Sequence, residues 1–283
     1  MDIIIFDVGL GQCIFFYPTN YAEYGLMIDC GSRQDFNPID KIIEWNLLAF
    51  DQVSRKHKLK NLTLTNYDQD HFSGLPYLKT KVQIETVKFP KNLTGDEIKR
   101  IKPVVTQPVK DVVEILETYN SKAANYSPPY TKYCFFLSKA DFPGEQIDTN
   151  KLSQLVFVAF NHTCICIPGD LTVPAWEKHL QNGNVTALLS ASDIFIASHH
   201  GREDGFNEKV FLYCNPECVI LSDKHLIHGT QEGMSSKYGG IVQGNGIVLN
   251  GDVSDLRKTL TTRNDGHIWI KINADGTRTY KTL

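Results

Sequence analysis

The sequence predicts an α/β fold in which two β-sheets pack face to face and helices cover their outer sides. Three observations carry this reading. Short apolar runs bounded by Gly, Pro and Asn recur along the chain and read as strands. Segments with helical spacing of apolar residues lie between several of them. Asp and His also gather at four successive strand-to-loop junctions, where α/β proteins collect ligands.

The elements follow in order. Residues 2–6, 13–17 and 24–31 are neighbouring antiparallel strands. Residues 37–56 carry Ile39, Ile42, Ile43, Trp45, Leu47 and Leu48 at roughly helical spacing, with Pro38 suited to a first turn. Strand 61–66 runs into a polar loop, and a strand over 82–89 and a helix over 109–120 come next. Residues 121–150 are rich in Ser, Pro, Tyr and Asn without a period, and read as a surface insertion. Strands 155–160 and 163–170 flank Asn161-His162, a hairpin turn. A helix over 173–181, a strand over 193–198, a helix over 204–213 and a strand over 217–223 continue the alternation. The Gly- and Ser-rich stretch 229–246 reads as loop, and 266–272 with 277–283 form a closing hairpin. No repeat or linker divides the chain, so one domain over 1–283 is expected.

Composition narrows the function classes. At 42% hydrophobic residues the chain has enough apolar material for a core, which excludes disorder. The formal net charge of −3 leaves no global basic field, so nucleic-acid binding would need a local patch or a metal. No apolar run approaches a membrane span, and the opening MDIIIFDVG reads as a strand and not as a signal peptide. Seven cysteines without a compact framework then favour free thiols and a cytoplasmic location. Cys164 and Cys166, two apart in a strand, read as small core hydrophobes.

Asn66-Tyr67-Asp68-Gln69-Asp70-His71 is the most informative fragment. It places two carboxylates, an amide and an imidazole where an apolar strand ends. Side chains at 66, 68 and 70 share a direction in extended backbone, and convergent oxygen and nitrogen donors suit a divalent metal. An acidic loop that caps a short helix would read the same way. Three later fragments favour the metal: Pro168-Gly169-Asp170, Ser198-His199-His200-Gly201, and His225-Leu226-Ile227-His228 each follow an apolar strand.

The order of these motifs resembles the metallo-β-lactamase fold. It is most similar to the metal-dependent hydrolase domain attached to the bacterial competence DNA-uptake channel, and to its stand-alone relatives. The resemblance covers residues 2 to about 272. It rests on Asp7-Val8-Gly9-Leu10-Gly11-Gln12, Asp29-Cys30-Gly31, Asn66 through Leu75, Pro168-Gly169-Asp170, His199-His200-Gly201 and Thr262-Arg263-Asn264-Asp265-Gly266. It implies an αββα sandwich holding one or two divalent ions, manganese or zinc. A second site would be Asp70, His71, Asp170 and one imidazole of the His pair. A first site would use Asn66 and Asp68, and is expected to be weak, because the family usually has His where this chain has Asn66. By the same resemblance His200 is the ligand and His199 a phosphate contact, with His228 a further ligand or proton donor. The oxygen-rich first site favours manganese. Asp7 and Asp29 are expected to hold loops by hydrogen bonds, while His57, His179 and His267 are expected to face solvent.

The expected activity is a metal-dependent phosphodiester hydrolase acting on nucleic acid or a nucleotide. Water acidified by the cation attacks phosphorus, Asp170 orients it, and a late His protonates the leaving oxygen. Arg263 and Arg202, near the expected metal loops, are candidates to grip phosphate, with Arg263 favoured because Gly266 lets its loop approach. The rival reading is a catalytically weakened or partner-gated subunit that binds nucleic acid or protein, with aromatic residues of 121–150 as its contact surface.

Overall fold

Alternation along the strands decides what each face buries. In β1 (Asp2–Ile5), Ile3 and Ile5 point one way and Ile4 the other, and all three are buried. Ile3 and Ile5 join Ile14, Phe16, Leu26 and Ile28 in a cluster that also contains Val156, Val158, Ile165, Ile167, Ile194 and Ile196. This is the core between the two sheets. Ile4, Phe15 and Met27 belong to a second cluster with Ile39, Ile42, Trp176, Val185 and Leu189, which joins the sheets' outer faces to the helices. Burial of each such side chain stabilises by about 1.5–3 kcal/mol, so strands with two buried faces hold the sandwich together. The computed structural model describes residues 1–119, 127–146, 148–224 and 229–283.

The remaining strands are β2 (Ile14–Tyr17), β3 (Leu26–Ile28), β4 (Phe50–Asp51), β5 (Lys56–Thr63), β6 (Val82–Lys88), β7 (Thr131–Phe135), β8 (Leu155–Phe160) and β9 (Thr163–Ile167). They continue with β10 (Ile194–Ile196), β11 (Cys218–Leu221), β12 (Ile247–Val248), β13 (Leu256–Arg257), β14 (Thr259–Thr261), β15 (Ile268–Ile272) and β16 (Arg278–Thr282). The first sheet runs β16-β15-β1-β2-β3-β5-β4, with β6 also paired to β5. The second runs β14-β11-β10-β9-β8-β7, and β12 pairs with β13. The helices are α1 (Pro38–Glu44), α2 (Leu75–Lys81), α3 (Gly95–Ile101), α4 (Gln107–Thr118), α5 (Val173–His179), α6 (Gly183–Ser190), α7 (Met234–Gly239) and α8 (Thr262–Asp265). The expected αββα arrangement is the observed one. Because β9, β10, β11 and β14 are parallel, the loops after β9, β10 and β11 emerge at one edge.

Several local expectations need correction. The helical pattern of 37–56 stops at Glu44, after Asn37 caps α1 by accepting from the Ile39 amide. Asn46 then turns with φ 56°, and β4 pairs back antiparallel with β5. The stretch 121–150 is not wholly an insertion, since β7 pairs with β8 from Thr131 opposite Ala159 to Phe135 opposite Leu155. Phe135 packs edge-on against Phe157, Tyr130 is buried, and Tyr133 and Phe136 stay exposed. Tyr126 lies outside the described residues. A reciprocal cap between Thr94 and Glu97 starts α3, and α7 interrupts the expected loop 229–246. Residues 204–213 form short 3-10 turns and not an α-helix. The Asn161-His162 turn has φ of 45° and 62°, the left-handed geometry such hairpins need, and His162 is exposed.

Of the histidines expected to face solvent, one is buried and another is half-buried. His179 is buried at the end of α5. His267 stacks on Phe36, and its Nδ1 accepts from the Asp7 amide. All seven cysteines are free thiols, six of them buried. No helix among the described residues is long and apolar enough to cross a membrane.

Candidate metal centre

Four side chains from three strand ends converge at that edge. One donor atom each from Asp70, His71, Asp170 and His200 lies within 4.8 Å of every other. Asp70 and His71 sit in the short turn after β5, Asp170 follows β9, and His200 follows β10. The close approach of these loops requires particular glycines. A Cβ on Gly11 would meet the Asp70 carbonyl at 2.5 Å, and one on Gly31 would collide with the same oxygen. The two Gly-containing motifs of the first third therefore make room for the Asp70 loop; they do not cradle a nucleotide. After β10 the backbone is left-handed at His199 and His200, with φ of 51° and 55°. Such conformations cost on the order of 1–3 kcal/mol for non-glycine residues. They turn the two adjacent imidazoles to different partners.

Hydrogen bonds on the far side of each ring fix its orientation. His71 Nδ1 lies 2.8 Å from Asp29 Oδ2, so the ring donates there and its Nε2 lone pair faces the cluster. Asp29 is held in turn by the Thr65 amide at 2.7 Å and by Gln12 Nε2 at 2.8 Å. The expected loop-holding role of Asp29 is thus sharper: it orients His71. His200 Nδ1 donates to the Ser222 carbonyl at 3.0 Å, which again aims Nε2 inward. His71 Nε2 is 3.0 Å from Asp170 Oδ2, and His200 Nε2 is 3.3 Å from Asp70 Oδ2 and 3.4 Å from Asp170 Oδ1.

None of these inward contacts has hydrogen-bond geometry. His71 Nε2, His200 Nε2 and Asp170 Oδ1 are all buried without a hydrogen-bond partner. Native proteins seldom leave such atoms unsatisfied, and lone pairs aimed at one point suit a cation. The residues therefore fit a divalent ion. Without one, burial opposes protonation of His71, but Asp170 and Asp29 outweigh it and hold its pKa above the ordinary value. Burial likewise opposes ionisation of Asp170, and His71 and His200 reverse that, so its pKa lies below the carboxylate range.

The other expected ligands point elsewhere. Asn66 Oδ1 accepts from the backbone N–H groups of Tyr67 and Asp68, the second at 3.1 Å. Backbone amides only donate, so the oxygen is identified and the Nδ2 group must face the cluster. Nδ2 donates to Asp170 Oδ2 at 3.1 Å and to Asn150 Oδ1 at 2.9 Å. Asp68 is turned to the Lys102 ammonium and the Thr149 hydroxyl, which donates at 2.9 Å. The Asn66 oxygen is claimed by local amides, and Asp68 is held at Oδ1 by Lys102 and Thr149, so neither residue is among the four converging donors.

His199 also has its own partners. Its Nδ1 is 2.8 Å from Asp204 Oδ1, while Nε2 meets Arg202 Nη1 at 3.2 Å and Asn150 Nδ2 at 3.4 Å. Both neighbours of Nε2 are donors, so the ring is an Nδ1–H tautomer accepting at Nε2. Arg202 lines the cleft beside the cluster, a cavity of about 400 Å³ also lined by Asp70, Lys102, Asn150, Asp170 and His199. Arg263 does not line it. Its Nη1 lies 3.0 Å from the buried Asp223 carboxylate, and Nη2 donates to Ser235 Oγ. Asp223 needs a nearby cation: burial pushes its pKa up to about 6 despite Arg263. His225 and His228 lie outside the described residues. Sequence reading missed Asn150, Thr149, Lys102 and Asp204, which sit in loops with no motif. Only the spacing of Asp204 five residues after His199 offered a signal.

The fold and site together define a two-sheet α/β protein with a largely buried His/Asp cluster at one edge that could hold a cation. No family model matches the sequence. Similar solved structures include Igni18, described as a metallo hydrolase from Ignicoccus hospitalis, at 10% identity and TM-score 0.48, covering 96% of this chain and 100% of that one. YhfI of Bacillus subtilis, described as a metallo-β-lactamase fold protein, is 10% identical at TM-score 0.46, covering 86% and 94%. Zn²⁺-bound PqqB of Methylobacterium extorquens is 15% identical at TM-score 0.41, covering 69% and 72%. Over 64 residues the chain is 44% identical to the light-independent protochlorophyllide reductase iron-sulfur ATP-binding protein of Chloroflexus aurantiacus. That stretch is 21% of each chain, so the chain spans about a fifth of the curated relative it matches.

Proposed function

We propose that this chain is a metal-dependent hydrolase of the metallo-β-lactamase type that cleaves a phosphodiester in a nucleic acid or nucleotide. The observation that carries the proposal is the set of buried, partnerless lone pairs on His71, His200 and Asp170, with both rings locked from behind. Asp70, His71, Asp170 and His200 would hold the ion. When bound, it supplies Lewis acidity and lowers the pKa of water in the site.

The chain's own residues do the rest. Asp170 spans the site, with Oδ1 near His200 and Oδ2 between His71 and Asn66, and so orients the attacking water. His199, oriented by Asp204, accepts from Arg202 at Nε2 and so holds that guanidinium beside the cleft. Arg202 and Lys102 supply positive charge to the cleft, which an anionic phosphodiester needs among Asp68, Asp70 and Asp170. His228, outside the described residues, keeps both roles proposed for it, a further ligand or a proton donor to the leaving oxygen. The preference for manganese rested on the oxygens of Asn66 and Asp68. The remaining set, two imidazole nitrogens and two carboxylates, suits zinc, manganese and iron alike.

The test is hydrolysis of bis(4-nitrophenyl) phosphate and of a short oligonucleotide by metal-stripped protein resupplied with manganese, zinc or iron. Metal-dependent turnover that is lost in Asp170→Asn is expected. Absence of turnover with every metal would leave the rival reading, a binding subunit for nucleic acid or protein. The neutralised Asn66 and Asp68 side favours that alternative.

A further inference from the structure

We infer that the centre is built for one ion, because this chain's own cationic and N–H donors occupy the position a second ion would fill. The inference rests on the proposed metal reading and concerns the surroundings of Asn66, Asp68 and His199. Three arrangements there point the same way. The Asn66 amide places an N–H on Asp170 Oδ2, the oxygen 3.0 Å from His71 Nε2. Its second N–H is used by Asn150, and its oxygen by two backbone amides, so Asn66 has no lone pair free for a cation. The Lys102 ammonium neutralises Asp68, whose Oδ1 also accepts from Thr149. Arg202 and Asn150 occupy His199 Nε2 with donors.

Charge bookkeeping agrees with the geometry. A second divalent ion would bring two positive charges to Asp68 and Asp170; Lys102 and Arg202 bring two positive charges to the same cleft. The Asn66 oxygen, His199 Nε2 and Asp68 Oδ1 have therefore each met a donor, whereas His71 Nε2, His200 Nε2 and Asp170 Oδ1 have none. Asn66 is thus a donor position and not a weakened ligand, and Lys102 completes the arrangement at Asp68. Asn66 and Lys102 act as positioning residues: they hold Asp170 and Asp68 without a metal.

The test counts ions on the full chain, independently of activity. Metal-stripped protein is titrated calorimetrically with Mn²⁺ and, separately, Zn²⁺, and metal content is measured after desalting. One equivalent is expected for each metal, with a rise in melting temperature that saturates at one equivalent. Two equivalents of comparable affinity would overturn this inference and leave the hydrolase reading standing. No bound ion would overturn both. The double variant Asn66→His/Lys102→Ala, checked by circular dichroism, is expected to take up a second equivalent. If it folds and keeps the first ion but gains none, Asn66 and Lys102 are not what excludes the second. Should the double variant not fold, Lys102→Gln alone is expected to keep binding one equivalent, because the Asn66 N–H still holds Asp170. A second equivalent in that single variant would overturn the role given to Asn66.

Discussion

The groups around Asp170 fall into two sets in opposite states. In one, His71 and His200 are tied from behind and present bare lone pairs inward; in the other, Asn66, Lys102 and Arg202 present N–H groups. The difference lies in the partners. All three imidazoles are backed by an acceptor; the inward nitrogens of His71 and His200 meet no donor, whereas that of His199 meets two and becomes a hydrogen-bond acceptor. A carboxylate likewise ends as ligand or counter-ion according to which positive group reaches it first.

The largest effect should come from breaking the bare set. His71→Ala is expected to reduce metal affinity by more than Asp29→Asn, whose loss should be roughly 10–100-fold because Asp29 acts only through the ring. Calorimetric titration of both variants measures this. Equal affinities in wild type and Asp29→Asn would show that the ring needs no support from behind.

The two arginines sharpen the comparison next. Arg263→Met removes the cation beside buried Asp223 and is expected to cost about 3 kcal/mol of unfolding stability at pH 7. That cost should shrink toward pH 5, because Asp223 has its pKa raised to about 6 and takes up a proton there. Arg202→Met should leave stability and metal content nearly unchanged and raise KM for a phosphodiester by roughly tenfold or more, as expected for a lost charge-assisted bond. Denaturant melts at both pH values, with steady-state kinetics, separate the two. An unchanged KM in Arg202→Met would remove it from substrate binding.

The smallest effect concerns two buried histidines. Carboxylates raise the pKa of His71, whereas burial lowers that of His179 to about 4 against the opposing pull of Asp141. A lowered folded value means that His179 contributes stability fully above its unfolded value of about 6.5, and that this is lost as pH falls toward 4. At pH 5 the loss is about 2 kcal/mol. His179→Leu should flatten the decline in stability between pH 7 and pH 5; an equally steep decline would place the acid sensitivity elsewhere.

Local chemistry made much of this legible. Alternating apolar runs located most of the strands, and the Asn161-His162 turn followed from turn-residue preference. Asp70, His71, Asp170 and His200 were legible because each ends an apolar strand, and parallel neighbours bring such ends to one edge. Segments where two short elements share one pattern were less so. The 37–56 run has apolar residues at helical spacing, yet the left-handed Asn46 and the β4–β5 pairing divide it.

What the sequence by itself determined is the set of groups at the strand ends and the two-sheet frame that collects them, since both depend on patterns within a few residues. Only the tertiary structure decided which of those groups converge with unpartnered lone pairs. Asn66 has its amide orientation chosen by two backbone N–H groups and by Asn150, 84 residues away, and Asp68 is claimed by Lys102 from a different loop. Arg263 was lost to Asp223, and Arg202 kept for the cleft, by the same competition among buried charges. A donor's role depends on its nearest partner in space, and that partner is set by packing across the sheets.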